Sequence, residues 1–257
     1  MRKKRVERVE RVGPVLPLSI VTAVFLVLVF YPPSLEFLLR LMFPTRKEVL
    51  YPRAGLPLLL GEHLVIVLVS SVGAAVIGTC IGIFATRPSG EPYRGLLSDL
   101  ASLAQTLPPV AVLALAVPLM GFGFKPTVLA LFLYSILPVL RNSIAGLEQV
   151  SPELKGAAAG MGMTGMQILM KVEIPLALRV MFGGIRTSIV INVGTATVGA
   201  VVGAGGLGAP IISGLVRENP AFVLQGALAA GFLAFLIDQY LAGAERRIMR
   251  TYGMTAE

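Results

Sequence analysis

The sequence predicts an all-α integral membrane protein with about six transmembrane helices. Of its 257 residues, 55% are hydrophobic and only 14% are charged, whereas soluble domains carry about 25% charged residues. Six uncharged runs approach or exceed the roughly 20 residues that cross a bilayer as helix. Each run is continuously apolar, while a strand of a membrane barrel would alternate, so helices are favoured.

The six predicted spans are the runs between ionisable residues: 12–35, 64–86, 100–124, 126–140, 187–216 and 219–237. The fourth has only 15 residues, about 22 Å of helix, so it crosses only if Lys125 and Arg141 snorkel or the bilayer thins. The first span, which follows the basic residues 1–11, could instead be a secretory signal. It lacks a small-x-small cleavage pattern, which favours a membrane anchor.

Lysine and arginine are divided unequally between the two sides of the membrane. With the N-terminus inside, the inner segments hold fifteen: Arg2, Lys3, Lys4, Arg5, Arg8, Arg11, Arg87, Arg94, Arg141, Lys155, Lys171, Arg179, Arg246, Arg247 and Arg250. The outer loops hold six: Arg40, Arg46, Lys47, Arg53, Lys125 and Arg217. We therefore expect both termini in the cytoplasm. The formal charge of +8 suits contact with anionic lipid headgroups and requires no nucleic acid.

Catalytic and metal-binding motifs are missing from the sequence. One cysteine, Cys80, and one histidine, His63, exclude a disulfide framework and a Cys/His zinc site. We interpret Cys80 as a small buried hydrophobe and His63 as an interfacial residue. No Gly-Lys dipeptide occurs, so the phosphate-binding P-loop is missing. We expect no enzymatic activity and no cofactor in this chain, and any ATP must be hydrolysed by another subunit.

Ionisable residues lie at the ends of the predicted spans and not in their middles. Asp99 precedes the third span, Arg186 precedes the fifth and Asp238 follows the sixth. Snorkelling explains these positions better than a proton or ion relay does. An ion-coupled secondary transporter is therefore the less favoured class.

The connection between residues 141 and 181 begins with a predicted short helix. Ser151 is a good cap, Pro152 suits the first helical position, and Glu153 lies beside the positive end of the helix dipole. Gly160 and Gly162 permit a sharp turn at its end.

A second helix is predicted from Gly165 to about Glu173, capped by Thr164 and stopped before Pro175. We call the whole helix-turn-helix, residues 152–173, the elbow. It could rest on lipid headgroups, but its flexible apolar side chains favour docking to a partner protein. These side chains are Met166, Ile168, Leu169, Met170 and Val172.

The elbow resembles the cytoplasmic "EAA" loop of ABC-importer permeases, whose pattern is Glu-Ala-Ala, three residues, Gly, nine residues, then Ile-x-Leu-Pro. In this chain Gly156 replaces the glutamate. The polar contact that the glutamate makes with the ATPase is therefore not implied for this chain. The matching positions are Ala157, Ala158, Gly162, Val172, Ile174 and Pro175. Residues 63–88, 105–143 and 184–208 resemble the osmoprotectant branch of this family, permeases for glycine betaine, choline or carnitine. A methionine permease is the near alternative.

The resemblance covers residues 60–245 and implies the type I ABC-importer permease fold with a cytoplasmic coupling helix, here residues 152–162. It divides the chain into an N-terminal segment with the first span, 1–59, the permease core, 60–245, and a cytoplasmic tail, 246–257. It implies a bacterial or archaeal plasma (inner) membrane. The implied partners are a second permease subunit, identical or homologous, two copies of an ATPase that binds ATP and Mg, an extracytoplasmic substrate-binding protein and membrane lipid.

Uncharged polar residues are the candidates for lining the substrate pathway, although each could instead bond a neighbouring helix. They are Gln105, Thr106, Asn192, Thr195 and Thr197. Quaternary ammonium groups are usually held in aromatic cages, but the chain has no tryptophan, and of its six tyrosines only Tyr134 lies near the middle of a span. The resemblance therefore leads us to expect the cage on the binding protein.

Glycines predict two further features of the spans. The pairs Gly78/Gly82 and Gly199/Gly203 have the small-xxx-small spacing that lets helices approach closely. Residues 203–208 contain four glycines, too many for a robust helix. We expect a broken or re-entrant end there, on the outer side, that contributes to the gate.

Overall fold

The computed structural model describes residues 15–251, which are mainly helical and contain no strand. Four segments are long and apolar enough to cross a membrane, and two sharply bent helix pairs raise the number to six. The predicted all-α membrane fold is therefore confirmed. The helices are α1 Val15–Phe30, α2 Pro32–Met42, α3 Leu56–Ala85, α4 Arg94–Thr106, α5 Pro109–Met120, α6 Phe124–Glu148, α7 Pro152–Gly160, α8 Gly165–Ile168, α9 Ile174–Thr195, α10 Gly208–Val216 and α11 Pro220–Thr251.

The first predicted span is two helices in the structure. α1 ends at Phe30, and α2 leaves it at 90°, so the expectation of one helix through residue 35 was wrong. The cause is the pair Pro32-Pro33, because the residue before a proline avoids the helical region and Tyr31 has φ −121° and ψ 84°. The basic residues 1–11 and the start of the predicted run lie outside the described residues.

The third predicted span, residues 100–124, is broken in the same way. α4 and α5 meet at a bend of 94°, where Pro108 and Pro109 follow Leu107 in extended conformation. Because proline lacks a backbone N–H and restricts its neighbour, a straight helix cannot continue through this pair. The interruption of this span is therefore marked by prolines and not by charged residues.

The fourth span is longer than the uncharged run that predicted it. α6 has 25 residues, about 37 Å of helix, which is enough to cross a bilayer. It contains both charged residues that seemed to limit it. Arg141 lies inside the helix, where its Nη2 donates to the Ser102 hydroxyl at 2.9 Å. The short uncharged run therefore did not limit the length of α6.

α3 starts at Leu56, eight residues before the predicted span, and includes Glu62 and His63. Both side chains have partners across the bundle. A Glu62 carboxylate oxygen accepts from the Gly206 N–H at 2.8 Å, and His63 Nε2 lies 2.9 Å from the Val193 carbonyl oxygen. His63 is fully buried, so its interpretation as an interfacial residue was wrong.

α11 likewise continues past Asp238, where the sixth predicted span ended. The Arg186 guanidinium on α9 forms two parallel hydrogen bonds to the Asp238 carboxylate, at 2.7 and 2.8 Å. Glu245 lies 3.5 Å from the same guanidinium. Arg186 and Asp238 were expected to snorkel separately; they pair with each other instead, which keeps both charges inside the helical segments.

The elbow's second helix does not stop before Pro175. α8, a wide turn of π-helix at Leu169–Glu173, α9 and a 3-10 helix at Ala196–Val202 form one continuous segment, Gly165–Val202. In a regular helix the Pro175 ring would clash with the carbonyl of Lys171. The wider turn lies at this point and accommodates the proline, because its hydrogen bonds reach one residue further along the chain.

The predicted break at the glycine-rich stretch is confirmed. The helical segment ends at Val202, and α10 begins at Gly208. Gly203, Gly205 and Gly206 have φ between +69° and +77°, values that side chains of L residues disfavour. The helix is therefore interrupted here, and Leu207 within the break is fully buried.

α3 and α6 pack at a distance that only small residues allow. A Cβ on Gly78 would lie 3.0 Å from the Val139 Cβ, and one on Gly82 would lie 2.5 Å from the Ser143 Cβ. The expectation of close approach at this glycine pair is confirmed. Cys80, between them, is exposed on the opposite face of the helix, so its interpretation as a buried residue was wrong.

A buried polar cluster joins the three central helices α3, α6 and α9. The Asn192 side-chain nitrogen lies 2.9–3.1 Å from the hydroxyl oxygens of Ser70, Ser71 and Ser135. Ser70 and Ser135 also donate to carbonyls of their own helices. Asn192 is fully buried. Polar side chains in this setting hold helices together because the surrounding medium offers no competing partner.

We expect Gly82→Ala to destabilise the protein, because the added methyl group cannot fit against Ser143. Overpacking of this kind costs about 1–3 kcal/mol. The unfolding midpoint in detergent should fall. The matched control is Gly231→Ala in α11, where a Cβ meets nothing within 4 Å, and its midpoint should be unchanged or slightly higher. Equal midpoints for the two variants would contradict the close packing.

We expect Asn192→Leu to lower thermal stability by about 1 kcal/mol, because it removes the group that links Ser70, Ser71 and Ser135. The control is Thr197→Val. Among the described residues, the Thr197 hydroxyl bonds only to the Gly194 carbonyl of the same helical segment, at 2.7 Å. Its loss should leave the unfolding midpoint unchanged, and an unaltered midpoint for Asn192→Leu would show that the cluster does not hold the helices.

Candidate functional site

The elbow begins with the predicted helix α7. The Ser151 hydroxyl accepts from the Leu154 N–H at 3.3 Å, and Pro152 occupies the first turn. The backbone N–H of Glu153 and the Ser151 hydroxyl lower the pKa of the Glu153 carboxyl, so it is negative beside the positive end of the helix. Both the start of α7 and its end at Gly160 are as predicted.

A tight turn joins α7 to α8. Gly162 has φ +81°, and its N–H donates to the Ala159 carbonyl at 2.9 Å. Thr164 then starts α8 with a reciprocal cap: its hydroxyl accepts from the Gln167 N–H, and its own N–H donates to the Gln167 side chain. The predicted turn glycine and cap are thus confirmed, and the elbow has a defined shape.

Exposed apolar side chains cover the outer surface of the elbow. Met161 is 73% exposed and Met166 is 68% exposed, and Leu154 and Met170 are also exposed. Leu169 was expected on the same surface but is buried against the ends of α6 and α9. The elbow therefore presents methionines outward, and flexible apolar side chains of this kind suit a protein groove.

The residues matching the EAA pattern divide between two faces of the elbow. Gly156, Ala157 and Gly162 are exposed, whereas Ala158 is buried. The remaining three are half-buried where the elbow joins α9: Val172, Ile174 and Pro175. A Cβ on Gly156 would meet nothing within 4 Å, so the position of the family glutamate faces away from the chain. Their part in coupling stays a prediction.

The structure reveals a buried carboxylate that the sequence interpretation did not single out. Glu173 is 3% exposed. One of its oxygens lies 2.5 Å from an Arg87 guanidinium nitrogen, and the other lies 3.3 Å from the Lys155 ammonium. A signal was present in the sequence, because Glu173 is the one acidic residue between Glu153 and Glu218. Its partners, 86 and 18 residues away along the chain, could not be identified without the fold.

The candidate pathway residues lie on two sets of elements. Gln105, before the bend between α4 and α5, donates to the Tyr134 carbonyl at 2.6 Å, and the Thr106 hydroxyl donates to the Leu103 carbonyl. On α9, Thr195 bonds within its own helix, as Thr197 does, and Asn192 belongs to the buried cluster. Gln105 and Asn192 therefore bridge helices, whereas the three threonine hydroxyls bond within their own helical segments. A role in the pathway stays a prediction.

A cavity of about 370 Å³ lies beside the glycine-rich break. Two arginines, Arg53 and Arg217, line it together with Tyr51, Gly203 and Gly205. Residues 15–251 bring no three His, Cys, Asp or Glu side chains together as metal ligands. The polar side chains that line the cavity, those of Tyr51, Arg53 and Arg217, can therefore supply hydrogen bonds and positive charge.

Relatives and solved structures support one family. The chain is 39% identical over 188 residues to the glycine betaine/carnitine/choline transport system permease protein OpuCB of Bacillus subtilis, covering 73% of this chain and 86% of that protein. It is 40% identical over 192 residues to the osmoprotectant import permease protein OsmY of Salmonella typhimurium, covering 74% and 81%.

The fold is similar to that in a structure of inward-facing conformations of the MetNI methionine ABC transporter. The TM-score is 0.64 with 25% sequence identity, over 73% of this chain and 93% of that one. The sequence profile of the binding-protein-dependent transport system inner membrane component family matches residues 78–250. The chain is therefore a multi-pass membrane protein that belongs to this family, the transmembrane permease subunits of ABC importers.

Proposed function

We propose that this chain forms part of the translocation pathway of an ATP-driven importer for an osmoprotectant such as glycine betaine, choline or carnitine. The observation that carries the proposal is about 40% identity to permeases named for these solutes, over nearly three quarters of the chain. The exposed methionine surface of the elbow supports it, because such a surface suits a subunit that is driven by a partner.

The elbow is the proposed docking site of the ATPase, with α7 as the coupling helix. ATP and Mg would bind to that partner, present in two copies, since this chain carries no phosphate-binding loop. ATP-driven closure of the ATPase dimer would push on α7 and move the attached helices between inward-open and outward-open arrangements. A second permease subunit would complete the pathway, and an extracytoplasmic binding protein would deliver the solute.

The excess of lysine and arginine in the elbow-side segments supports a cytoplasmic elbow and cytoplasmic termini, in a bacterial or archaeal inner membrane. Arg87, Arg94 and Lys155 meet at one end of the bundle, where Arg94 pairs with Glu148 and the other two pair with Glu173.

Selection of the solute is proposed to lie mainly with the binding protein. A cage for a quaternary ammonium group needs several free aromatic faces. The Tyr134 hydroxyl donates to the Leu107 carbonyl, so this tyrosine helps to hold the bend between α4 and α5. The permease then needs to pass the solute and not to recognise it tightly.

A methionine importer is the second candidate, because a methionine transporter shares this fold at a TM-score of 0.64. An ion-coupled carrier is less favoured. Such carriers use intramembrane charges as relays, whereas Arg186 here is held by Asp238 and Glu245.

We expect the complex of this permease with its ATPase and binding protein, reconstituted in vesicles, to take up labelled glycine betaine and to require ATP inside the vesicles. Labelled methionine is the comparison solute. Uptake of methionine alone would contradict the proposed substrate class. Uptake by the purified permease in an ion gradient, without ATPase, would contradict the ATP-driven mechanism.

We expect Gly162→Leu to impair ATPase docking or ATP coupling while membrane insertion stays normal. A non-glycine residue at φ +81° costs about 1–2 kcal/mol, so the turn would change shape. The matched control is Gly160→Leu, which adds the same side chain two residues earlier, where the backbone is helical. Normal substrate-stimulated ATPase activity in Gly162→Leu would count against the elbow as the coupling element.

A further inference from the structure

Glu173 is a charged residue in a place where charge is unfavourable. It ends the wide turn between α8 and α9, beside the apolar cluster of Leu147, Leu169 and Ala177. A carboxylate that is 3% exposed is strongly destabilising unless it is paired. The two cations that pair with it, Arg87 and Lys155, are themselves only partly exposed, at 28% and 34%. Solvent therefore screens these pairs less than it would screen surface pairs.

The two cations come from different parts of the bundle. Arg87 follows the last turn of α3, and Lys155 is in the first half of α7. The Lys155 ammonium also donates to the Leu147 carbonyl near the end of α6, at 3.4 Å. The Glu173 carboxylate thus links the start of α9 to the end of α3 and to α7. Lys155 also links α7 to α6. We call Glu173, Arg87 and Lys155 the clasp.

Apolar burial does little to hold α7 in place. Ala158 is its one buried side chain, and its other residues are exposed or half-buried. A single buried alanine provides a small apolar area. The clasp therefore adds charged and hydrogen-bonded contacts to the small apolar contact between α7 and the spanning helices.

The helices on the far side of the clasp are continuous or closely packed. Glu173 passes directly into α9 as part of the segment Gly165–Val202, and α3 packs on α6 through Gly78 and Gly82. A displacement of α7 would consequently move α3, α6 and α9 together, provided that the clasp stays closed. Without the clasp, α7 could move about the turn at Gly162 while the spanning helices stay in place.

We propose that Glu173 is a positioning residue that transmits movement of α7 to the spanning helices, with Arg87 and Lys155 as its two attachments. This inference rests on the proposed function, since it names how the force from the ATPase reaches the pathway. Opening the clasp separates ATP hydrolysis from transport, because the ATPase still meets the exposed face of the elbow.

The test uses the full complex with ATPase and binding protein, in vesicles. It measures glycine betaine taken up per ATP hydrolysed, together with amide hydrogen exchange of residues 152–160. For Glu173→Gln we expect uptake per ATP to fall about tenfold, a factor typical of coupling within one side-chain network. Exchange in α7 should accelerate by a similar factor. ATP hydrolysis should continue.

Lys155→Met opens half of the clasp without leaving a buried unpaired carboxylate, because Arg87 remains, so it decides the matter if Glu173→Gln does not fold. Its control is Arg179→Met, which removes an exposed cation on α9 just outside the elbow that is not among the ion pairs of the described residues. Lys155→Arg keeps the charge and should restore coupling. Arg179→Met should match the unmodified chain in both measurements.

The outcomes separate the two proposals. If the unmodified complex takes up no glycine betaine, the proposed substrate is wrong, and the exchange measurement still tests the clasp. If it transports and Glu173→Gln and Lys155→Met keep the normal ratio and the normal exchange of α7, the clasp is wrong. Equal losses in Lys155→Met and Arg179→Met would also overturn it, since a general change of surface charge would then explain both.

Discussion

Pairing of polar side chains across helices is the constraint on which the rest of this structure depends. Glu62 reaches the Gly206 N–H, Asn192 joins three serines, and Arg186 holds Asp238. In an apolar medium each of these groups would be costly if left alone. Because they are paired, helices continue through residues that would otherwise end them, and the same bonds set which helices are neighbours.

The connections between helices follow from a second constraint, the backbone chemistry of proline and glycine. Two proline pairs break the first and third spans at right angles, while Pro175 is carried within a helix by a wide turn. The two cases differ in whether the proline is followed or preceded by a second proline. A second proline leaves the chain no helical alternative, whereas a lone proline can be accommodated by hydrogen bonds that reach one residue further.

These features together describe helices joined by continuous segments and close packing. The second half of the elbow is continuous with α9, and α3 and α6 lie in close contact at Gly82. On the proposed function, such a bundle would respond to an ATPase by moving as packed bodies and not by local flexing. The glycine-rich break at residues 203–207 is held by Glu62 and lies next to the cavity lined by Arg53 and Arg217.

The sequence by itself determined the features that depend on neighbouring residues: the membrane class, the capped start of α7, the turn at Gly162 and the break after Val202. Caps, turns and apolar composition act over a few residues, so their signals are local. The tertiary structure alone decided where the spans end and what Glu173, His63 and Asn192 contact. A charged residue ends a helix in lipid only if it lacks a partner, and here each partner lies 18 or more residues away, reached only when the helices pack.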